Sequence, residues 1–472
     1  MTSGRRDFLR QSLIGTGIIA SGLAGHSASR NNEPESEKVG SQPNQRFNMS
    51  GYCAPKLEKV RIGFVGLGNR GPGAVERLSN IEGIEIVALC DVLSDRVEKC
   101  QAILEKHGIP KAKTYSGSKE IWKEMCQNPD IDLIYITTPW AWHTPMAVYA
   151  MESDKHAVSE VPAAKTIEEC WQLIETSEKT KKHFMMLENC CYDFFELLTL
   201  NMARQGYFGE IIHAEGAYIH DLLESNFSKT KYSDMWRLKE NYRRGNLYPT
   251  HGLGPLCQIM NINRGDKMEF LTSVSSGDFQ MAAMANELSA KDPFYNEFAG
   301  KSFRGNMSTT TIRTFKEKTI MLQHDVTSRR PYSRIHLVNG TKGMACKYPE
   351  PERISNGHEW CNEQEMNQIK EKYTPEIVKH IGEMAKKIGG HGGMDFMMDW
   401  RLIDCLRNGL PLDQNVYDAA LWSSIAPLSI QSIANRSNSI DIPDFTNGAW
   451  KTNTPVELTL NGGGTTGVKT TK

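Results

Sequence analysis

The hexapeptide GLGNRG sets Gly66, Gly68 and Gly71 at the spacing G-x-G-x-x-G. It follows the apolar, strand-like run KVRIGFV and opens a segment of helical period. In that setting the first glycine makes a tight turn. The second lets the backbone approach a pyrophosphate, and the third packs helix against strand. The phosphates then rest on the amides of a helix N-terminus. Asp91 closes the next apolar run, 25 residues after Gly66, where a carboxylate accepts both hydroxyls of a ribose. Its charge repels a 2′-phosphate, so the pair predicts NAD rather than NADP. Other chemistry finds less support. With no Cys-x-x-Cys, no His-x-x-x-His and no dense carboxylate group, no metal site is expected. The eleven cysteines read as buried thiols of a chain that folds in a reducing compartment.

Such residues need a frame that gathers strand ends and helix starts on one edge. IEIVALCDV, IDLIYITTP, HAVSEVP and HFMMLEN continue the apolar runs, with helical-period segments between them at 74–81, 95–107, 118–127, 145–152 and 167–181. This alternation predicts an α/β chain whose N-terminal Rossmann domain, residues 59–188, is a doubly wound parallel sheet. From Ile211 the strand-like runs EIIHAEGAYIH, EFLTSVSSG, NMSTTTIRTF, KTIMLQHDVTS and RIHLVNG are joined in part by short polar turns. Residues 313–315 and 319–322, linked through Lys316, Glu317 and Lys318, read as a hairpin. The second domain, residues 189–450, is therefore expected to be α+β with a large, mainly antiparallel sheet. Helices return at MDFMMDWRLIDCLRNG, stopped by Gly409 and Pro411, and at 416–432. The glycine-rich end, 451–472, reads as a flexible tail.

The first 30 residues carry a different message. SGRRDFLRQS, then an apolar stretch at 13–24, has the order of a twin-arginine export signal. A polar linker, 31–58, follows. The apolar stretch is too short and too rich in glycine to span a bilayer. The rest of the 472 residues, 39% hydrophobic with net charge −1, offers no footprint for nucleic acid or an anionic membrane. A periplasmic or secreted protein is expected, and a homo-oligomer is compatible with the sequence. The twin-arginine route carries folded proteins, so NAD would have to be bound before export.

A dinucleotide fold that ends near Glu160-Val161-Pro162, followed by a large antiparallel sheet, resembles the glucose–fructose oxidoreductase/inositol dehydrogenase (Gfo/Idh/MocA) superfamily. In its dehydrogenases a lysine sits in the middle of the Glu-x-Pro segment and serves catalysis. Here Val161 cannot move a proton. The chain resembles a branch with this departure, the glycoside hydrolase family 109 enzymes, NAD-dependent α-N-acetylgalactosaminidases. The resemblance is carried by GLGNRG, TTPWAWHTPMA, SEVPAA, MMLEN, GAYIHDL, NLYPTHGLGP, RPYSRIHLVNGTKG and GGHGGMDFMMDWRLIDCLRNGLPLD.

By position the resemblance implies NAD contacts at Asn69, Arg70, Asp91, the stretch from Trp140 through Trp142 to His143, Glu160, Val161 and Asn189. It implies a glycan substrate with terminal N-acetylgalactosamine, met by Tyr218, Arg237, Tyr248, Pro249, Thr250, His251 and Tyr332. Tyr248 and His251 are the expected catalytic pair, a phenol and an imidazole able to shuttle protons near neutral pH. His251 lies in a stretch of loop composition, and His391 has no assigned part. The implied chemistry is hydrolysis through oxidation, elimination, addition and reduction, with no net redox, as in the NAD-dependent exceptions among glycosidases. The rival readings are an exported NAD-dependent sugar oxidoreductase and a non-catalytic carbohydrate-binding protein on this fold.

Overall fold

Six strands build the first sheet: Val60–Val65 (β1), Ile84–Cys90 (β2), Lys113–Tyr115 (β3), Leu133–Ile136 (β4), His156–Ser159 (β5) and Phe184–Met186 (β6). They lie in the order β3-β2-β1-β4-β5-β6, every pair parallel. Helices cover both faces, which is why β4, β5 and β6 are buried at every position and read as unbroken apolar runs. The strand order reverses between β1 and β4, and doubly wound sheets bind ligands in the crevice at that reversal. The structure, a computed structural model, describes residues 45–469. The arginine pair at 5–6 and the first half of the linker, 31–44, lie outside them.

The second sheet has eight strands: Ile211–Ile219 (β7), Met268–Ser275 (β8), Ser308–Thr314 (β9), Thr319–Asp325 (β10), Leu337–Gly340 (β11), Met344–Cys346 (β12), Arg353–Ser355 (β13) and Ile440–Asp441 (β14). Their order is β13-β12-β11-β7-β10-β9-β8-β14. All neighbours are antiparallel except β7 and β10, which pair in parallel. The hairpin expected between β9 and β10 is present, with Arg313 opposite Thr319.

The described chain forms one compact unit, because late elements return to the first sheet. Asp399, on the helix Met394–Asn408, accepts from Arg77 Nε and the Tyr135 hydroxyl, each at 2.7 Å. Two stretches differ from expectation. Within the segment read as linker, Gln45 donates to the Tyr417 hydroxyl, the Arg46 amide to Glu178, and Met49 is buried. The end read as a flexible tail is packed as far as it is described: the Gly464 and Thr466 amides donate to Asp404, and Trp400 Nε1 to the Thr466 carbonyl. Short polar side chains and glycine there supply backbone groups to a buried carboxylate, which composition alone does not show. Among the described residues, no helix is long and apolar enough to cross a membrane.

Candidate active site

One cleft of about 1100 Å³ opens at the strand reversal and runs toward β7 of the second sheet. Its first end is the glycine loop. A Cβ on Gly66 would lie 2.7 Å from the Thr138 amide nitrogen, and one on Gly71 would lie 2.5 Å from the Gly66 carbonyl oxygen. Over Gly68 only the Arg96 side chain comes within 4 Å. The turn is therefore closed on its inner side and open to a phosphate on its outer side. Gly66, Gly68, Asn69 and Arg70 line the cleft, and Gly71 packs beneath them. Asp91 accepts the Leu67 amide at 2.7 Å and the Leu93 amide at 3.0 Å, so it holds the loop it was expected to serve. Arg96 stands 3.6 Å from the same carboxylate. The residues present fit a dinucleotide.

The middle of the cleft is lined by Trp140, Trp142, Glu160, Val161 and Asn189. Arg70 Nε donates to Glu160 at 2.9 Å, which ties the glycine loop to the end of β5. His143 is fully buried, with Nδ1 and Nε2 each 2.7 Å from the carbonyl oxygens of Pro162 and Thr138. It clamps two loops together and has no ring nitrogen left for a cofactor. Burial pushes its pKa down, against the pull of the two carbonyls.

The far end is aromatic and carries the expected proton-moving pair. The Tyr218 and Tyr248 rings lie 4.5 Å apart, and His251 stands edge-on to both at 5.3 and 4.9 Å. The Arg237 guanidinium sits 5.4–5.5 Å from the ring centres of Trp140, Tyr232 and Tyr248. Burial works against its charge, but the phenols of Tyr218, Tyr232 and Tyr248 outweigh that and raise its pKa. Burial, reinforced by Tyr218, pushes the Tyr248 phenol well above its ordinary range, and Arg237 offsets only part of this. Tyr248 therefore keeps its proton at neutral pH. Pro249 and Thr250 lie buried below the cleft wall. Tyr332 stands at the rim, 6.3 Å from the Tyr218 ring, and accepts from Arg334 at 3.3 Å.

His251 is not on a loop. Thr250–Ile259 is a helix with Pro249 at its cap and Pro255 inside. Glycine and proline argued against a helix, but Leu253, Leu256, Cys257 and Ile259 bury a continuous face that overrides their propensity. The helix lies directly on β7: a Cβ on Gly252 would come within 2.3 Å of the Ala217 amide nitrogen, and one on Gly216 within 2.5 Å of the Gly252 carbonyl oxygen. That contact of two glycines sets His251 beside Tyr218.

Sequence reasoning missed Glu188. Its carboxylate is fully buried, and Oε1 accepts from His251 Nδ1 at 2.7 Å and from the Cys190 amide at 3.1 Å. Burial alone would raise its pKa. The neighbouring His251 imidazole, with the hydrogen bonds from His251 and the Cys190 amide, outweighs burial and holds it below the ordinary range. One signal was available: Glu188 follows β6 at the edge where the glycine loop and Asp91 also lie. His220, whose Nδ1 is 3.1 Å from the Tyr218 hydroxyl, was missed as well. Among the described residues, Glu188, Cys190 and His251 form a trio of metal-ligand type. Burial pushes the Cys190 thiol well above its ordinary pKa, and the other two are already joined to each other through Glu188 Oε1 and His251 Nδ1. The trio is a hydrogen-bonded unit.

Comparison with known proteins places the two halves of the chain in known families. Residues 60–188 match the family described as "Oxidoreductase family, NAD-binding Rossmann fold", and residues 192–452 match "Glycosyl hydrolase 109, C-terminal domain". The chain is 48% identical over 427 residues to glycosyl hydrolase family 109 protein 1 of Bacteroides thetaiotaomicron, covering 87% of this chain and 89% of the relative. It is 51% identical over 413 residues to the glycosyl hydrolase family 109 protein of Porphyromonas gingivalis, covering 84% and 86%. Among solved structures, levoglucosan dehydrogenase in complex with NADH and L-sorbose aligns at TM-score 0.60 and 15% identity, covering 82% of this chain and all of that one. The myo-inositol dehydrogenase of Lactobacillus casei, in complex with NAD(H) and myo-inositol, aligns at 0.56 and 16%, covering 82% and 99%. At that identity the likeness is one of fold.

Proposed function

The chain belongs to glycosyl hydrolase family 109, and from that premise we propose that it removes terminal α-linked N-acetylgalactosamine from glycans. Its NAD-binding domain is that of the Gfo/Idh/MocA superfamily. The observation that carries the proposal is the His251–Glu188 pair facing Tyr248 in the same cleft that Val161, and no lysine, lines.

The glycine loop and Asp91 would hold NAD, which would supply a hydride acceptor for C3 while the C3 hydroxyl proton passes to water, both returning at the end so that the hydrolysis has no net redox change. The chain's own residues supply orientation and proton transfer. A carboxylate accepts only, so the Glu188 contact keeps a proton on His251 Nδ1 and leaves the Nε2 lone pair for the cleft. His251 then serves as the base. A carbonyl at C3 acidifies the C2 proton; its removal expels the C1 aglycone, water adds at C1, and C2 regains a proton. Tyr248, which keeps its proton, donates a hydrogen bond to a sugar oxygen, and Arg237 holds the ring region with a fixed charge.

Turnover of an aryl α-N-acetylgalactosaminide in D2O is expected to place deuterium at C2 of the released sugar. A product with only protium at C2 overturns the mechanism, and NADH accumulating without released phenol assigns the protein to the sugar oxidoreductases instead. We propose further that the protein is exported folded, with NAD in place, by the twin-arginine signal at 3–12. Replacing Arg5 and Arg6 by lysine should leave the NAD-loaded protein in the cytoplasm, and unchanged export would refute that assignment.

A further inference from the structure

The stretch GGHGG, residues 389–393, carries five consecutive residues at positive φ: Gly389 at 91°, Gly390 at 84°, His391 at 46°, Gly392 at 74° and Gly393 at 108°. Glycine adopts this region without strain, and a side chain adopts it at a cost. At two of the positions glycine is also required by space. A Cβ on Gly390 would meet the Asp395 Cβ at 2.6 Å, and one on Gly393 the Ala385 carbonyl carbon at 2.8 Å. His391 alone in the run bears a side chain.

That side chain does little for the fold. It is 54% exposed, and its nearest partner is Asp395, at 2.9 Å from Nδ1. Asp395 is served without it: Arg70 and Arg77 stand 3.3 and 3.5 Å away, and Asn189 donates to its other oxygen. What His391 does reach is the cleft, on the wall it shares with Asn69, Arg70 and Asn189. Arg70 Nη1 stands 3.5 Å from His391 Nδ1, well outside the 2.9 Å contact with Asp395 that fixes the ring. Because Arg70 also binds Glu160 at the end of β5, this wall spans the passage from the glycine loop toward Val161.

We propose that His391 is a cofactor-binding residue, taking a ribose hydroxyl on the nicotinamide side of the dinucleotide. Asp395 can only accept, so the proton sits on Nδ1 and Nε2 presents a lone pair. Among the described residues no protein group occupies Nε2. A hydroxyl donor suits it, and the sugar beyond the diphosphate carries two. The inference rests on the cleft holding NAD and is independent of which glycan is cleaved.

The test is titration calorimetry of the full chain, stripped of nucleotide, with NAD, ADP-ribose and AMP, beside thermal melting. His391→Gly relieves the backbone, so its melting temperature should equal or exceed the parent's. It should weaken NAD and ADP-ribose by about 3- to 10-fold, the worth of one neutral hydrogen bond, and leave AMP unchanged. His391→Asn, which also tolerates positive φ, serves as a second variant and should weaken the same two ligands. Unchanged NAD and ADP-ribose affinity in both variants overturns the proposal. So does equal weakening of AMP with a lowered melting temperature, the mark of a structural histidine. A parent that binds neither NAD nor ADP-ribose would refute the cofactor reading itself.

Discussion

At the scale of single residues the site turns on one nitrogen atom. His251 can act as a base only if Nε2 lacks a proton when substrate arrives, and the buried Glu188 carboxylate, 2.7 Å from Nδ1, places the proton of the neutral ring on Nδ1. The same logic orients imidazoles in hydrolase triads and metal sites. In Glu188→Gln the carboxamide can donate to Nδ1, which moves the ring proton to Nε2 and blocks the base. Both Glu188→Gln and His251→Ala are expected to lower kcat by roughly 10²–10⁴. Neither should lose NAD, because both lie at the aromatic end of the cleft. Rates beside NAD released by acid from each purified variant decide it. A Glu188→Gln enzyme of full rate would show that His251 does not work through Nε2.

At the scale of elements, the fold was more legible than the site. Apolar runs gave away β1, β2, β4, β5 and β6 because strands buried on both faces keep most positions apolar, with few polar ones such as Arg61 and Glu85 to blur the pattern. β3 escaped because its three residues, Lys113–Tyr115, are two-thirds exposed polar side chains on a sheet edge. The parallel pairing of β7 with β10 escaped because 99 residues of chain separate their ends and no short-range pattern encodes such a contact. The glycine fingerprint was legible since spacing alone encodes it. Glu188 and His391 were not, since Glu188 gains its part only when the distant helix Thr250–Ile259 sets His251 against it, and a left-handed loop brings His391 to the cleft from far along the chain. The helix Thr250–Ile259 was misread for the same reason that it works: Gly252 suggests a loop, yet it is the atom-by-atom fit against Gly216 that seats the helix. Gly252→Ala therefore gains helix propensity and loses fit. With backbone atoms 2.3–2.8 Å from the new Cβ, the helix must shift. A destabilisation of about 1–3 kcal/mol is expected from overpacking, with a fall in kcat well beyond that of an exposed glycine such as Gly357. Melting curves and rates of the two alanine variants test this, and a Gly252→Ala protein as stable and active as Gly357→Ala would refute the close-contact account.

At the scale of the whole molecule, acid should unfold this protein through histidines far from the cleft. His156 opens β5 and His183 precedes β6 in the first sheet, and His336 precedes β11 in the second; all three are buried. Burial, first, and then nearby cations (Lys182 for the first pair, Arg334 and Lys347 for His336) push each pKa down to about 3. The contacts agree with neutral rings, since the His183 amide donates to His156 Nδ1 and His336 Nε2 lies 2.9 Å from the Thr199 hydroxyl. In the unfolded chain the same groups take protons near pH 6.5. Between about 6.5 and 3 the unfolded state thus binds more protons than the native one, and stability falls as the pH falls. At pH 5.5 each histidine should cost about 1.4 kcal/mol relative to pH 7.5. His336→Gln keeps a polar partner for Thr199 and cannot be protonated. Whatever it costs at pH 7.5, its loss of stability between pH 7.5 and 5.5 should be smaller than the parent's by about 1.4 kcal/mol. Urea unfolding of both proteins at the two pH values measures that difference directly, and an identical pH dependence would mean that His336 is already charged in the native state.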